Sequence, residues 1–193
     1  FINKMDRENA DFYRTLQQLQ SKFSSRCLPL QLPIGAQDDF QGIVDLLAMK
    51  SYTGSPAKEA EVPSSLKDQA DSFREKLVEA IAEIDDRLIE KYLGGEELSR
   101  DELSNGLRQA VVTGKIVPIL AGSALKNIGI ASLLDVMYSY LPLPKEREVV
   151  IAGDSAKQVQ KIEPSQEAPL AALVFKTSAD PYVGKLTYFR VYM

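Results

Sequence analysis

Phe1-Ile2-Asn3-Lys4-Met5-Asp6 opens with two apolar residues that read as a strand end and runs into a short polar loop closed by an acid. Far downstream, Ile116-Val117-Pro118-Ile119-Leu120-Ala121 is a second apolar strand run, and it passes into a tight turn at Gly122-Ser123-Ala124-Leu125-Lys126. Two polar loops, each following an apolar strand, fit the rule that open α/β sheets present ligand sites at the carboxyl ends of their strands. The pair therefore points to an α/β fold with a site built from both loops.

The residue types in these loops suit one base. A carboxylate only accepts hydrogen bonds, so Asp6 can take both donors on the guanine edge, the ring N–H and the exocyclic amino group. Adenine lacks that pair, and a site built on buried hydrogen bonds rejects a ligand without them by roughly four to five orders of magnitude. Asn3 can bond the base and tie the neighbouring loops together. The stem of Lys4 can lie over the purine while its ammonium stays in water. Ser123 can hold the orientation of the Asp6 carboxylate, and the Ala124 N–H can face the guanine carbonyl. Either loop alone also fits an ordinary solvated turn; together they favour guanine recognition.

Bulk properties narrow the setting. The chain has 193 residues, 45% of them hydrophobic and 26% charged, which is ordinary for a globular protein of one domain or parts of two. A net charge of −4 argues against a dominant electrostatic grip on nucleic acid. The single cysteine, Cys27, rules out an intrachain disulfide and reads as a small core residue at the start of an apolar strand. With no long apolar run and no signal peptide, a cytoplasmic, reducing compartment is expected. The chain opens and closes inside apparent strands, with neither a cap nor a polar tail, and so reads as a segment of a longer protein.

Along the chain, Phe12, Leu16, Leu19 and Phe23 form one apolar stripe, which predicts a helix over about 9–23. Cys27–Ile34 alternates as a strand, with Pro29 and Pro33 confining it to an edge or to its ends. Phe40–Leu47 and Ala48–Tyr52 give two further β segments, and 53–63 reads as a loop. From Leu66 to Tyr92 apolar residues recur at helical spacing, with Asp85-Asp86 marking a break and Gly94-Gly95 a stop. Ser99-Arg100-Asp101-Glu102 is a capping-box pattern opening a helix to about Thr113. Strand 116–121 and a helix over about 128–140 follow. Residues 142–168 read as a linker poor in apolar side chains. Two β-rich runs, 169–178 and 185–192, read as the hairpin of a second, all-β domain.

Asn3 and Ser123 stand 120 positions apart, whereas a strand, crossover helix and next strand need only about 30 residues. The surplus carries its own strands and helices, so a small α+β subdomain is inserted into the nucleotide-binding fold. A docking surface explains such an insertion better than padding does. Glu75, Glu79, Glu83, Asp85, Asp86 and Glu90, with Glu96, Glu97, Asp101 and Glu102, give it an acidic side, read as a solvated helix face with partners such as Arg87 and Lys91.

At this point the chain resembles a family. Asn3-Lys4-Met5-Asp6-Arg7 with Ala10-Asp11-Phe12 is similar to bacterial translation elongation factor G, a translational GTPase. So are Leu32-Pro33-Ile34-Gly35, Phe40 to Leu46, Asp85-Asp86 with Glu90 to Leu93, and Gly122 to Asn127. Leu133-Leu134-Asp135, Tyr140-Leu141-Pro142 and Asp180 to Leu186 complete a match in the right order over nearly the whole chain. It departs at Gly54-Ser55-Pro56 and across 153–167. The resemblance implies the C-terminal part of a P-loop GTPase sheet (1–23 and 114–144), an inserted α+β subdomain (24–113), a linker (145–168) and the first hairpin of a β-barrel (169–193). It implies ribosome-dependent GTP hydrolysis driving translocation, with rRNA and the ribosomal stalk protein as partners of the insertion and the barrel. A monomer with no membrane or DNA partner is expected. By this mapping Asn3, Lys4 and Asp6 bind the guanine of GTP or GDP, with Ser123, Ala124 and Leu125 beside them.

No G-x-x-x-x-G-K-[ST] phosphate loop occurs, and histidine, the family's water-positioning residue, is absent. No residue here is therefore expected to be catalytic or to hold a metal. Mg²⁺ is held by parts outside this segment, and the segment alone is expected to be inactive. Related readings are a release-factor or ribosome-protection GTPase, or a docking module that does not use nucleotide.

Overall fold

The computed structural model describes residues 1–143, 146, 149–152, 159–162 and 170–192, and these fall into two bodies, Phe1–Leu141 and Pro142–Met193. In the first, helix α1 (Phe12–Lys22) starts where the Asp11 carboxylate accepts the Arg14 N–H at 2.9 Å. That satisfies one of the amide hydrogens a helix start leaves unpaired. The helix is shorter than 9–23 because Asn9 sits at φ +63° in the loop before it. Phe12 and Leu16 are buried and Leu19 half-buried, but Phe23 is 78% exposed. Phe23 is the C-cap, where the backbone leaves helical geometry, so its ring no longer follows the stripe.

The run Cys27–Ile34, expected as one strand, is two. Strand β1 (Cys27–Pro29) pairs in parallel with β6 (Val117–Ile119), whereas β2 (Gln31–Ile34) pairs antiparallel with β3 (Gly42–Asp45). Leu30 between them serves both: its N–H donates to the Ile119 carbonyl at 2.9 Å and its own carbonyl accepts from Leu46 at 3.0 Å. The alternation hides the division because both halves are largely buried. Ile2 bridges Ala121 in parallel, so the opening residues, β6 and β1 run side by side in one direction. Pro118 is tolerated because Val117 and Ile119 make the bonds towards β1.

β4 (Lys50–Thr53) and β5 (Lys58–Glu61) complete an antiparallel sheet in the order β2-β3-β4-β5. Asp45 turns β3 into β4: its Oδ1 accepts the Leu47 and Ala48 N–H groups, each at 2.8 Å. β5 lies in the stretch expected to be a loop. All four of its residues are exposed, so there was no apolar alternation to read. Backbone pairing with β4 makes it a strand, and its charges guard an open sheet edge.

Helices α2 (Ser64–Ala82), α3 (Asp86–Leu93) and α4 (Arg100–Val112) follow. Asp85 does break the long pattern, capping α3 through the Arg87 N–H at 2.9 Å. The Ser99–Glu102 capping box forms in both directions, at 2.7 and 3.3 Å. With the Ser99 N–H and Lys91 both bonded to it, the Glu102 carboxyl is pulled down to about 2. Arg74 of α2 donates to the Leu46 and Leu47 carbonyls at 2.6 Å, fastening that helix to the β3–β4 turn. α2 and α4 approach so closely at Gly106 that a Cβ there would lie 2.7 Å from Ile81 Cγ2. Leu77, Ile81, Leu103, Leu107 and Ala110 fill this core, and Cys27 is buried as expected. Glu75, Glu79, Glu83, Asp86 and Glu90 are exposed, a solvated face. Helix α5 (Ile130–Tyr140) closes the body.

In the second body the stretch expected as a linker carries an antiparallel pair, β7 (Val149–Ala152) with β8 (Val159–Ile162). Val149-Val150-Ile151 is the signal, diluted by its polar surroundings. Residues 144–145, 147–148, 153–158 and 163–168 of that stretch lie outside the described residues. The expected hairpin is β9 (Ala172–Asp180) and β10 (Gly184–Val191). Asp180 sets its turn by accepting the Tyr182 and Val183 N–H groups at 2.8 and 2.9 Å. The molecule is mixed α/β, with parallel pairing in the first body and antiparallel sheets in both.

Candidate functional site

The two loops singled out in the sequence meet. The Ile2 N–H donates to the Leu120 carbonyl at 2.8 Å, the Gly122 N–H to the Ile2 carbonyl at 3.1 Å, and the Met5 N–H to the Gly122 carbonyl at 3.1 Å. These bonds set the Asn3–Asp6 loop against the 122–128 loop at the ends of parallel strands. Asn3 Oδ1 accepts both the Lys4 N–H at 2.8 Å and the Ala124 N–H at 3.0 Å. One side chain thus spans both loops, and Lys4 takes φ +65°.

Asp6 is 9% exposed and Ser123 fully buried. A hydrogen bond from the Ser123 side chain holds the Asp6 carboxyl below its ordinary range against the opposing effect of burial, with Arg7 and Lys126 acting in the same direction as Ser123. Ser123 Oγ in turn accepts the Lys126 N–H at 3.1 Å. Asp6 is therefore ionised near neutral pH and acceptor-only, as a partner for two N–H donors must be.

All six residues expected at the site, Asn3, Lys4, Asp6, Ser123, Ala124 and Leu125, are brought together. Two details differ from expectation. The Ala124 N–H, expected to face a base carbonyl, is turned to Asn3 Oδ1, so a base would share that donor or re-aim it. Leu125 is 75% exposed, free to cover an apolar face but contributing no polar group.

Glycines allow the second loop its shape. Gly129 lies at φ +78°, and a Cβ there would stand 2.6 Å from the Ala121 carbonyl oxygen. Gly122 packs on the Phe1 ring, which a Cβ would meet at 2.8 Å. Between them Ser123 and Ile128 exchange backbone bonds of 2.9 and 3.0 Å. Two contributors escaped the sequence reading. The Gln37 N–H, from the β2–β3 connection, donates to the Met5 carbonyl at 2.8 Å. Asn127, at φ +53°, donates from Nδ2 to Ser55 Oγ at 3.0 Å. An Asn in a tight loop hints at positive φ; nothing local marks Ser55 or Gln37.

One hollow of this body borders the first loop, with Met5, Asn9, Phe12 and Gln37 on its walls; another, of about 260 Å³, lies between β2, α4 and α5 with Gln31, Asp45, Arg100 and Tyr140 on its walls. Among the described residues no helix is long and apolar enough to cross a membrane.

The model of the family described as the elongation factor Tu GTP binding domain matches residues 1–143. A crystal structure of a protein from Thermus thermophilus superposes with a TM-score of 0.74 at 33% identity, covering 98% of this chain. The chain spans 26% of that protein's length. With residues 1–143 of 193 matched, the chain belongs to the translational GTPase family typified by the elongation factor Tu GTP binding domain.

Proposed function

We propose that this chain supplies guanine recognition to a ribosome-dependent translocation GTPase of the elongation factor G type. The observation that carries the reading is the buried, ionised Asp6 carboxylate, held by Ser123 and set beside the Asn3–Ala124 tie. Guanine would give Asp6 its ring N–H and exocyclic amino group, the Lys4 stem would cover one purine face and Leu125 the other. These residues fit the base of GTP or GDP; the phosphates and Mg²⁺ would be held by parts of the protein outside this sequence. The 193-residue chain by itself is therefore expected not to hydrolyse GTP, and turnover by the purified chain would refute that assignment.

The lobe of β2–β5 and α2–α4, within the 24–113 insertion, is proposed as the surface that docks on the ribosome and its stalk protein, in a monomeric, cytoplasmic protein. Its strands and helices, added between the two loops and packed into the core of the first body, support this reading. Sedimentation with ribosomes at low and high salt tests it; failure to co-sediment at low salt would count against docking.

For the base, NMR titration of the chain with guanosine, inosine and adenosine is the test. Inosine lacks only the exocyclic amino group. Binding should weaken from guanosine to inosine and vanish for adenosine, with the Lys4 and Ala124 amides shifting most. Equal response to all three would remove the guanine reading.

A further inference from the structure

The inserted lobe touches both base loops, and it does so from one end of one sheet. In the register of β2-β3-β4-β5, Ile34 pairs with Gly42, Gly42 with Thr53 and Thr53 with Lys58. The connections 35–41 and 54–57 therefore leave the sheet at the same end. They are joined there, the Gly54 N–H donating to the Gln41 carbonyl at 3.0 Å. From the first connection the Gln37 N–H reaches the Met5 carbonyl in the Asn3–Asp6 loop. From the second, Ser55 Oγ takes the Asn127 amide of the 122–128 loop. Asn127 is tied to the base side of its own loop, its N–H donating to the Ala124 carbonyl at 3.3 Å.

We propose that this end of the inserted sheet is a brace that sets the gap between the two base loops, with Ser55 and Asn127 as positioning residues for the guanine pocket. The proposal rests on the guanine reading above for its ligand, but not for its mechanics. The loops already bond to each other through Met5 and Gly122 and through Asn3 and Ala124; two contacts from one sheet end add an outer constraint that limits how far either loop can shift against the other. The cause is geometric, since neither Ser55 nor Asn127 needs to touch the base. A sheet whose neighbouring strands are locked in register moves as a unit, so displacement of the lobe would be passed to both loops together.

The test uses the chain with Ser55→Ala, Asn127→Ala, the double variant and Ser55→Thr. Two quantities are read by NMR: water exchange at the Ala124 and Lys126 amides without ligand, and the Kd for guanosine. An exposed hydrogen bond of ordinary strength predicts that either single variant speeds exchange at these amides, and weakens guanosine, by roughly 3- to 10-fold. Asn127→Ala also carries a backbone cost at φ +53°, so the double variant should lose no more than Asn127→Ala alone, because without Asn127 there is no bond left for Ser55 to lose, and Ser55→Thr should restore both readouts. Exchange at Leu107, in the lobe core, should not move. Unchanged exchange at Ala124 in both single variants would overturn the brace, as would loss that is additive in the double variant. If exchange responds while wild-type chain does not distinguish guanosine from adenosine, the brace stands and the guanine reading falls.

Discussion

Replacing Gly129 by alanine isolates how tightly the second base loop is built. Two costs are expected. An alanine at φ +78° carries the left-handed penalty of about 1 kcal/mol. Its Cβ would also lie 2.6 Å from the Ala121 carbonyl oxygen, a distance no real Cβ adopts. Ala121 is the residue bridged to Ile2, so relief must push apart the strands that carry both base loops. Overpacking of this kind costs about 1–3 kcal/mol, for a total of roughly 2–4 kcal/mol. Gly95 and Gly114 are controls, with φ +77° and +71° and nothing within 4 Å of an added methyl; each should lose only the backbone term. All five α-helices of the described residues lie in the Phe1–Leu141 body, so helical circular dichroism follows its unfolding in urea. With a slope near 2 kcal/mol per M, Gly129→Ala should lower the midpoint by about 1–2 M and Gly95→Ala by about 0.5 M. Equal shifts for the two would refute the packing argument.

Other outcomes follow from the same packing and capping. Leu107→Ala empties a fully buried position in the lobe core and should cost about 2–5 kcal/mol in the same urea assay. Asp85→Ala removes the α3 cap and should cost about 1 kcal/mol, whereas Arg87→Ala, whose ion pair with Asp85 is 92% exposed on the arginine side, should change stability by less than about 0.5 kcal/mol. The Glu102 carboxyl falls from 4.5 to about 2 on folding. A depressed acid stabilises above its unfolded value, so this contribution is complete above pH 4.5 and is lost as pH falls towards 2. Glu102→Gln should be less stable than wild type at neutral pH and converge with it near pH 2; parallel pH profiles would contradict the assignment.

Much of this architecture was legible in the residues. The helix start at Ser99 was visible because capping chemistry is local and uses specific residue types; Asp85 was legible only as a break in the pattern, and its role as the α3 cap came from the structure. That the Asn3–Asp6 and 122–128 loops meet was legible because each follows an apolar strand run and carries polar groups suited to a shared site. What escaped was set by partners distant in sequence. The division of Cys27–Ile34 depends on Leu30 bonding Ile119 on one side and Leu46 on the other, while the alternation on either side of it is continuous. β5 has no buried face, so its pairing with β4 leaves no periodic trace. The link from Asn127 to Ser55 joins two loops 72 positions apart, and neither residue announces the other. Phe23 failed for the opposite reason: it kept the helical spacing one residue past the point where the helix ends.

The central claim is that Asp6 reads the base as an acceptor for two N–H donors, and exchanging its chemistry tests that most directly. In Asp6→Asn one carboxylate oxygen becomes an N–H donor, which clashes with the exocyclic amino group of guanine and suits the carbonyl that xanthine carries in its place. Titrated with guanosine and xanthosine, the wild-type chain should prefer guanosine and Asp6→Asn should prefer xanthosine, with the Ala124 amide reporting both and circular dichroism confirming that the variant is folded. A folded Asp6→Asn chain that still prefers guanosine, or an Asp6→Glu chain that binds xanthosine as well as Asp6→Asn does, would contradict the account.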